Sequence, residues 1–183
     1  MMKKPLLSTG LSWIWLSAFV LAADLGSKYW VMSSFKYFES VKLLPFFSFT
    51  YVHNIGAAFS FFEGHRWFLA LTAVVICSIV LVLLYRNSRK ELLTNMAYSL
   101  IIGGALGNLF DRLIHGYVID FLHFYITYWK IPIVNIVIEN WHYPVFNLAD
   151  VSICIGAAFI IIDALRPSKM TKPCKVHHSS LDD

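Results

Sequence analysis

Apolar residues run almost without interruption through four long stretches of the sequence, which cover residues 11–32, 67–85, 93–113 and 146–165. A helix of about 20 residues, at a rise of about 1.5 Å per residue, crosses the hydrocarbon core of a bilayer, so each stretch can span it. These runs are too long and too continuous for the alternating strands of a membrane barrel. We therefore predict an all-α integral membrane protein with four transmembrane helices.

The positively charged residues predict how these helices are oriented. Lys and Arg cluster at the start of the chain, at residues 86–90 between the second and third spans, and from Arg166 onward. Segments rich in Lys and Arg stay in the cytoplasm. We therefore expect both termini to be cytoplasmic, and residues 33–66 and 114–145 to lie on the outer side.

The N-terminus imitates a cleaved secretory leader, with two lysines, a short apolar stretch and the cleavage-site-like run Leu21-Ala22-Ala23. Apolar character resumes after Asp24 and continues to Met32, which gives a length that spans a bilayer. We therefore interpret this segment as a retained first helix.

The sequence pattern of the outer segments, 33–66 and 114–145, predicts a small β-sheet and a short interfacial helix. Apolar residues at three-residue spacing over 33–44 are typical of a helix lying on the membrane surface. Residues 46–52 alternate as a strand does, and residues 131–138 are rich in β-branched side chains, although Pro132 would confine them to an edge. Between these segments, we expect residues 54–58 to form a mobile lid with Gly56 as its hinge, and a plain surface turn remains the alternative.

Composition agrees with a membrane protein and narrows the chemistry. The chain is 58% hydrophobic and 14% charged, and its basic residues form no stripe with interleaved aromatics, which argues against nucleic-acid binding. Its three cysteines and seven histidines show neither a disulfide framework nor metal-ligand spacing, so we expect no metal and no cofactor. We expect residues 1–166 to form one membrane domain and the polar tail 167–183 to be disordered.

Four aspartates lie inside or at the ends of the predicted spans, and the predicted topology puts them all toward the outer face. They are Asp24, Asp111, Asp120 and Asp150. A carboxylate in hydrocarbon costs several kcal/mol, so such acids usually face the interior of a bundle and mark an ion path, a proton relay or a reaction centre. Interfacial snorkelling or structural pairing would explain one such acid better than four. A functional centre is therefore the better interpretation.

Other polar residues are spaced to share a helical face with two of these acids. Asp24 and Lys28 are four residues apart in the order that favours pairing, and both a structural bridge and a direct chemical role remain open. Asn108, Asp111 and Arg112 share one helical face, and we interpret Asp111 and Arg112 as a structural pair.

Asp120 and Asp150 have no obvious cation nearby in the sequence. Asn147 shares a helical face with Asp150 at a spacing of three residues. Two carboxylates without dedicated cations can share one proton, because repulsion and burial raise one pKa and leave one acid and one base at neutral pH.

Two other functions compete with a reaction centre. A small proton-coupled carrier or channel also uses intramembrane acids, but its polar positions should lie near the midplane, often within an internal repeat. A membrane scaffold whose acids merely pair is the second alternative.

Five motifs give the chain a resemblance to the lipoprotein signal peptidase (signal peptidase II) family over nearly its whole length. They are DLGSK at 24–28, VHNIGAAFSFF at 52–62, GALGNLFDR at 104–112, VIDF at 118–121 and FNLAD at 146–150, and they occur in the family's order. One departure is the stretch 125–139, which looks longer than the family's usual connector.

The resemblance implies an aspartyl endopeptidase that removes the signal peptide from diacylglyceryl-modified prolipoproteins by cutting before the lipidated cysteine. It implies Asp120 and Asp150 as the catalytic pair. It also implies supporting or substrate-contacting roles for Asp24, Lys28, Asn54, Gly56, Asn108, Arg112 and Asn147. The expected location is the bacterial cytoplasmic membrane, with the active site toward the outer face. The expected partners are lipidated prolipoproteins and membrane lipid, and we expect a monomer.

Overall fold

The computed structural model describes residue 5 and residues 8–56, 64–131 and 136–166, which form four long helices and a four-stranded sheet. The helices are α1 (Ile14–Ser34), α2 (Arg66–Arg86), α3 (Leu92–Ile114) and α4 (Leu148–Ala164). The predicted disordered tail lies outside the described residues, so its disorder stays a prediction.

Within the described residues, three helical segments are long and apolar enough to cross a membrane: Gly10–Ser34, Arg66–Arg86 and Leu92–Ile114. The fourth helix, α4, has 17 residues, and a helix of that length covers only about 26 Å. It is shorter than the predicted segment at both ends. The prediction of four spans is therefore supported for three helices, and the span of α4 stays a prediction.

Helix α3 lies at the centre of the bundle and packs against α1, α2 and α4. Two glycines of α3 allow this close approach. A Cβ atom at Gly103 would lie 2.8 Å from the carbonyl oxygen of Ser17 in α1, and one at Gly104 would meet the backbone of Ala149 in α4. A larger side chain at either position would therefore push the neighbouring helix away.

The sheet is antiparallel, with its strands in chain order. They are β1 (Ser40–Leu44), β2 (Phe47–Asn54), β3 (Val118–Ile131) and β4 (Ile136–His142). The sheet packs on the end of α1 through a core of Val31, Tyr51, Ile119 and Phe121. An all-α description is therefore too narrow, although the added small sheet is confirmed.

The outer segments confirm one predicted strand and correct another prediction. The strand predicted at 46–52 corresponds to β2, whereas the interfacial helix predicted at 33–44 is wrong. Phe38 has a positive φ of 66°, and its N–H donates to the carbonyl of Tyr51 at 2.9 Å. The chain therefore turns back on β2 and pairs as β1 rather than continuing as a helix.

The second outer segment forms a hairpin, of which only part is predicted. Strand β4 begins at Ile136, inside the predicted strand 131–138, while Pro132 lies outside the described residues. The sequence pattern does not predict β3, although this strand carries Asp120. It pairs with β2 over its first half and with β4 over its second.

Candidate functional site

A cavity of about 1250 Å³ lies between the sheet and the neighbouring ends of α3 and α4. Both Asp120 and Asp150 line it, together with Asn54, Asn108 and Arg112. The rest of its wall is mainly apolar and aromatic, and it includes Tyr37, His53, Gly56, Phe124, Trp141, Tyr143, Phe146, Val151, Ile153 and Ile155. Two acids and three hydrogen-bonding side chains thus face one apolar cavity, which is the usual composition of a binding or reaction site.

Asp120 is almost completely buried, with 1% of its side chain exposed. It lies on β3 opposite Val52 of β2. Its Oδ1 accepts a hydrogen bond from Asn147 Nδ2 at 2.7 Å, and its Oδ2 accepts one from Asn54 Nδ2 at 2.9 Å. Burial, followed by the charge of Asp150, raises the pKa of Asp120 to about 7. Asp120 can therefore hold or release a proton near neutral pH.

Asp150 is fixed by the local sequence at the start of α4. Asn147 is the N-cap residue, and its Oδ1 accepts a hydrogen bond from the backbone N–H of Asp150 at 3.0 Å. In return, Asp150 Oδ2 accepts a hydrogen bond from the backbone N–H of Asn147 at 3.1 Å. This reciprocal capping box satisfies two helix-end donors and holds the carboxyl group at the cavity.

Two asparagine amides connect the acids. Asn147 Nδ2 donates to Asn108 Oδ1 at 3.1 Å as well as to Asp120, and Asn108 Nδ2 donates to Asp150 Oδ1 at 2.8 Å. Asn108 Oδ1 also accepts from Lys28 Nζ at 3.2 Å. Because a lysine ammonium can only donate, it fixes the carbonyl side of Asn108 toward itself and the amide nitrogen toward Asp150.

A buried ionic cluster supports this network from behind. Lys28 Nζ lies 2.7 Å from Asp24 Oδ2 and 2.9 Å from Asp111 Oδ2, and all three side chains are at most 1% exposed. Asp24 Oδ1 accepts from the N–H of Ala149 at 2.9 Å, and Asp111 Oδ2 accepts from the N–H of Ile119 at 3.1 Å. The cluster therefore ties α1 and α3 to the starts of α4 and β3.

This cluster confirms one predicted pair and corrects another. Asp24 and Lys28 do pair, whereas the predicted bridge between Asp111 and Arg112 is wrong, because Asp111 pairs with Lys28. Consecutive helical residues point about 100° apart, so Asp111 turns inward while Arg112 turns toward the cavity. Of the described residues, those lining the cavity include neither Asp24 nor Asp111, so the four acids form two separate groups.

Arg112 holds the turn that follows β2. Its Nη2 donates to the carbonyl of Gly56 at 3.1 Å, and its Nη1 donates to the carbonyl of Asn108 at 3.3 Å. The N–H of Gly56 donates to Asn54 Oδ1 at 3.0 Å, which leaves the amide nitrogen of Asn54 free to face Asp120. Ala57 and Ala58 of the predicted lid lie outside the described residues, so the lid stays a prediction.

The sequence pattern gives no signal for two aromatic residues of the cavity wall, Trp141 and Tyr143, and indicates a third, Phe146, only as part of the FNLAD motif. Trp141 is near the end of β4, and Tyr143 and Phe146 follow before α4. The backbone of Phe146 bridges to Leu122 of β3, which brings this connection back to the site. The structure places these rings on the wall of the cavity that Asp150 also lines.

Comparisons with known proteins agree with this geometry. A family model described as signal peptidase (SPase) II matches residues 16–166. The lipoprotein signal peptidase of Photorhabdus laumondii is 52% identical over 175 residues, which cover 93% of this chain and 98% of that protein. The lipoprotein signal peptidase of Yersinia enterocolitica is 50% identical over 175 residues, which cover 93% of this chain and 96% of that protein.

Two solved structures, each described as a bacterial membrane enzyme, share the fold at 29% identity. Their TM-scores are 0.73 and 0.69, and the matches cover 90% and 86% of this chain and 94% of each of those chains. The family match spans most of the chain, and two of the aspartates that it contains, Asp120 and Asp150, line one cavity. The chain therefore belongs to the signal peptidase II family of aspartic peptidases.

Proposed function

We propose that Asp120 and Asp150 are the catalytic pair with which this lipoprotein signal peptidase removes signal peptides from prolipoproteins. One observation carries the proposal: the two carboxyl groups line the same cavity, and each is held by an asparagine amide. The pKa of about 7 for Asp120 adds to it, because a protonated and an ionised carboxyl can then coexist near neutral pH.

In this mechanism Asp150 is the base and Asp120 is the acid. Asp150 takes a proton from water as the water oxygen bonds to the scissile carbonyl carbon, and Asp120 gives its proton to the carbonyl oxygen. Asp150 then gives its proton to the leaving nitrogen as the carbon–nitrogen bond breaks. Asp120 recovers a proton from a hydroxyl of the intermediate, so both carboxyl groups return to their starting states.

The proposal extends to the lipidated substrate. The α4 side of the cavity is apolar, because Val151, Ile153 and Ile155, which follow Asp150 along this helix, line it. Such a wall suits acyl chains entering from the bilayer, and it supports cleavage before a diacylglyceryl-modified cysteine. We include in this proposal a monomer whose residues 1–166 form one domain with four spans.

The orientation in the bacterial cytoplasmic membrane is part of the same proposal. The connection between α2 and α3 carries Arg89 and Lys90, which favour the cytoplasmic side. Asn108 and Arg112 lie at the opposite end of α3, where they line the cavity. This supports an active site that faces the outer side of the membrane.

The test replaces each acid by its isosteric amide. We expect Asp120→Asn and Asp150→Asn each to lower cleavage of a lipidated precursor peptide by at least about 100-fold, because an amide cannot exchange the proton. The two fragments are quantified by mass spectrometry, and thermal unfolding in detergent checks the fold. Asp163→Asn is the matched control, since Asp163 contacts Thr94 and Arg166 away from the cavity.

Two outcomes would count against the proposal. Near wild-type turnover by either amide variant would remove that carboxyl group from the mechanism. Equal cleavage of the same peptide without its diacylglyceryl group would contradict recognition of the lipid while leaving the catalytic pair in place.

A further inference from the structure

A column of stacked rings stands beside the candidate active site. The imidazole of His53 lies between Tyr37, at 4.1 Å between ring centroids and 26° between planes, and Tyr117, at 3.7 Å and 16°. His53 Nε2 lies 2.9 Å from the hydroxyl of Tyr51. We refer to Tyr37, His53 and Tyr117 as the aromatic column.

The aromatic column joins three segments that are distant in sequence. Tyr37 lies between α1 and β1, His53 is the penultimate residue of β2, and Tyr117 directly precedes β3. Asn54 follows His53, and Asp120 comes three residues after Tyr117. The column therefore fixes the backbone on both sides of the hydrogen bond between Asn54 and Asp120.

Asn54 needs such support because it is the last residue of its strand. It pairs with Val118 at the final rung of β2 and β3, and the chain then leaves the sheet toward Gly56. A side-chain donor keeps its aim only when its backbone is held by packing and by neighbouring hydrogen bonds. We propose that His53 is a positioning residue, whose stacking in the aromatic column keeps Asn54 aimed at Asp120.

The surroundings of His53 favour positioning over proton transfer. Both ring faces are covered, and Nε2 is engaged by Tyr51. Burial, followed by the charge of His115, lowers the pKa of His53, so the ring is neutral at pH 7 and stacks as a neutral aromatic. The inference rests on the proposed catalytic role of Asp120.

The experiment compares His53→Ala with His53→Phe, which keeps an aromatic ring in the column. We expect His53→Ala to lower kcat by about tenfold with a smaller effect on KM, because a displaced Asn54 disturbs the alignment of the Asp120 carboxyl group more than it disturbs substrate binding. We expect His53→Phe to retain most of the activity. Tyr128→Ala is the control, since this exposed ring lies on the second half of β3, outside the column and the cavity wall.

A pH profile separates positioning from a general loss of structure. The charged groups that face Asp120 are Asp150 on α4, Lys28 on α1 and Arg112 on α3. The hydrogen bond from the amide of Asn54 favours the ionised form of Asp120, so losing this hydrogen bond raises the pKa of Asp120. The alkaline limb of kcat/KM should therefore move to higher pH in His53→Ala and stay in place in His53→Phe.

Double substitution gives the second readout. In an Asn54→Ala background, His53→Ala should add almost nothing, because both changes remove the same interaction. The inference would be overturned if the two substitutions lowered kcat independently, so that their effects multiplied in the double variant. It would also be overturned if the alkaline limb of kcat/KM did not move in His53→Ala, or if His53→Phe were as impaired as His53→Ala. If His53→Ala does not fold, Tyr37→Ala provides the second test, because Tyr37 is half-exposed and stacks on His53. This substitution should also move the alkaline limb of kcat/KM to higher pH.

These outcomes are distinguishable from failure of the proposed function. An active Asp120→Asn variant would overturn the catalytic assignment whatever happens at position 53. An inactive Asp120→Asn variant together with unchanged kcat and pH profile in His53→Ala would overturn only the inference about His53.

Discussion

Asp120 combines two opposing influences on one carboxyl group. The amides of Asn54 and Asn147 both donate to it and favour the ionised form, while burial and the charge of Asp150 favour the protonated form. Burial is the largest of these influences, so the pKa rises to about 7. The amides therefore orient the group without preventing it from carrying a proton at neutral pH.

The first consequence is a pH dependence with a defined sign. We expect kcat/KM to fall as the pH rises through about 7, because Asp120 then loses the proton that it donates to the scissile carbonyl. The measurement is cleavage of a lipidated peptide over a pH series, with thermal unfolding as a check on the fold. A rate that stays constant from pH 6 to about pH 9 would contradict Asp120 as the acid.

Lys28 faces two buried carboxylates, so its removal leaves more than one charge without a partner. We expect Lys28→Met to lower the free energy of unfolding by about 3–5 kcal/mol, as for other buried ion pairs broken from one side. Lys90→Met, at an exposed position, is the control. Denaturant unfolding in detergent measures both, and equal stability of the two variants would contradict the structural role of the cluster.

The elements of the fold differ in how far local sequence predicts them. Helices α2 and α3 follow from continuous apolar runs, and the start of α4 is consistent with Asn147 and Asp150 in a capping box. Strand β3 pairs with β2, which lies far from it in the chain, so its local sequence does not predict it. Residues 33–44 resemble an interfacial helix until the neighbouring strand β2 pairs with part of them as β1. The same limit applies to Asp111, whose partner is chosen by helix packing rather than by spacing.

Gly107 provides a test of the close packing around α3. A Cβ atom there would meet the carboxylate of Asp24, which is already held by Lys28. We therefore expect Gly107→Ala to destabilise the protein by about 1–3 kcal/mol.

Gly26 is the matched control for this test, since a Cβ atom there meets nothing within 4 Å. Gly26→Ala should be neutral or stabilising by up to about 1 kcal/mol, because alanine favours the helix. Thermal unfolding of both variants gives the comparison, and a neutral Gly107→Ala would mean that the interface adapts to the added methyl group.

On the scale of the whole molecule, polar chemistry is concentrated at one end of an apolar bundle. Helix α2 exposes large apolar side chains such as Leu71 and Ile79, as a lipid-facing helix does. The cavity lies where the sheet meets α3 and α4. The convergence of Asp120 and Asp150 could be predicted from their motifs, whereas the aromatic wall could not, because the turn after β4 places it.

The whole protein should work without a metal ion. The described residues contain no group of three or more His, Cys, Asp or Glu side chains placed to hold one, and the proposed mechanism uses only carboxyl groups. We expect cleavage to be unchanged after incubation with a chelator. Loss of turnover that one added metal restores would overturn this prediction, and a metalloprotease inhibited in parallel verifies that the chelator is effective.

The double role of Asn147 has a consequence for biosynthesis. Its backbone and side chain cap the start of α4, while its Nδ2 donates to Asp120, so one residue both begins this helix and holds a carboxyl group of the candidate site. Both events wait for residues 147–150, which are synthesised after α1, α2, α3 and the four strands of the sheet. On the proposed catalytic role of Asp150, we expect a ribosome-bound nascent chain that has not yet released this segment to be unable to cleave a prolipoprotein.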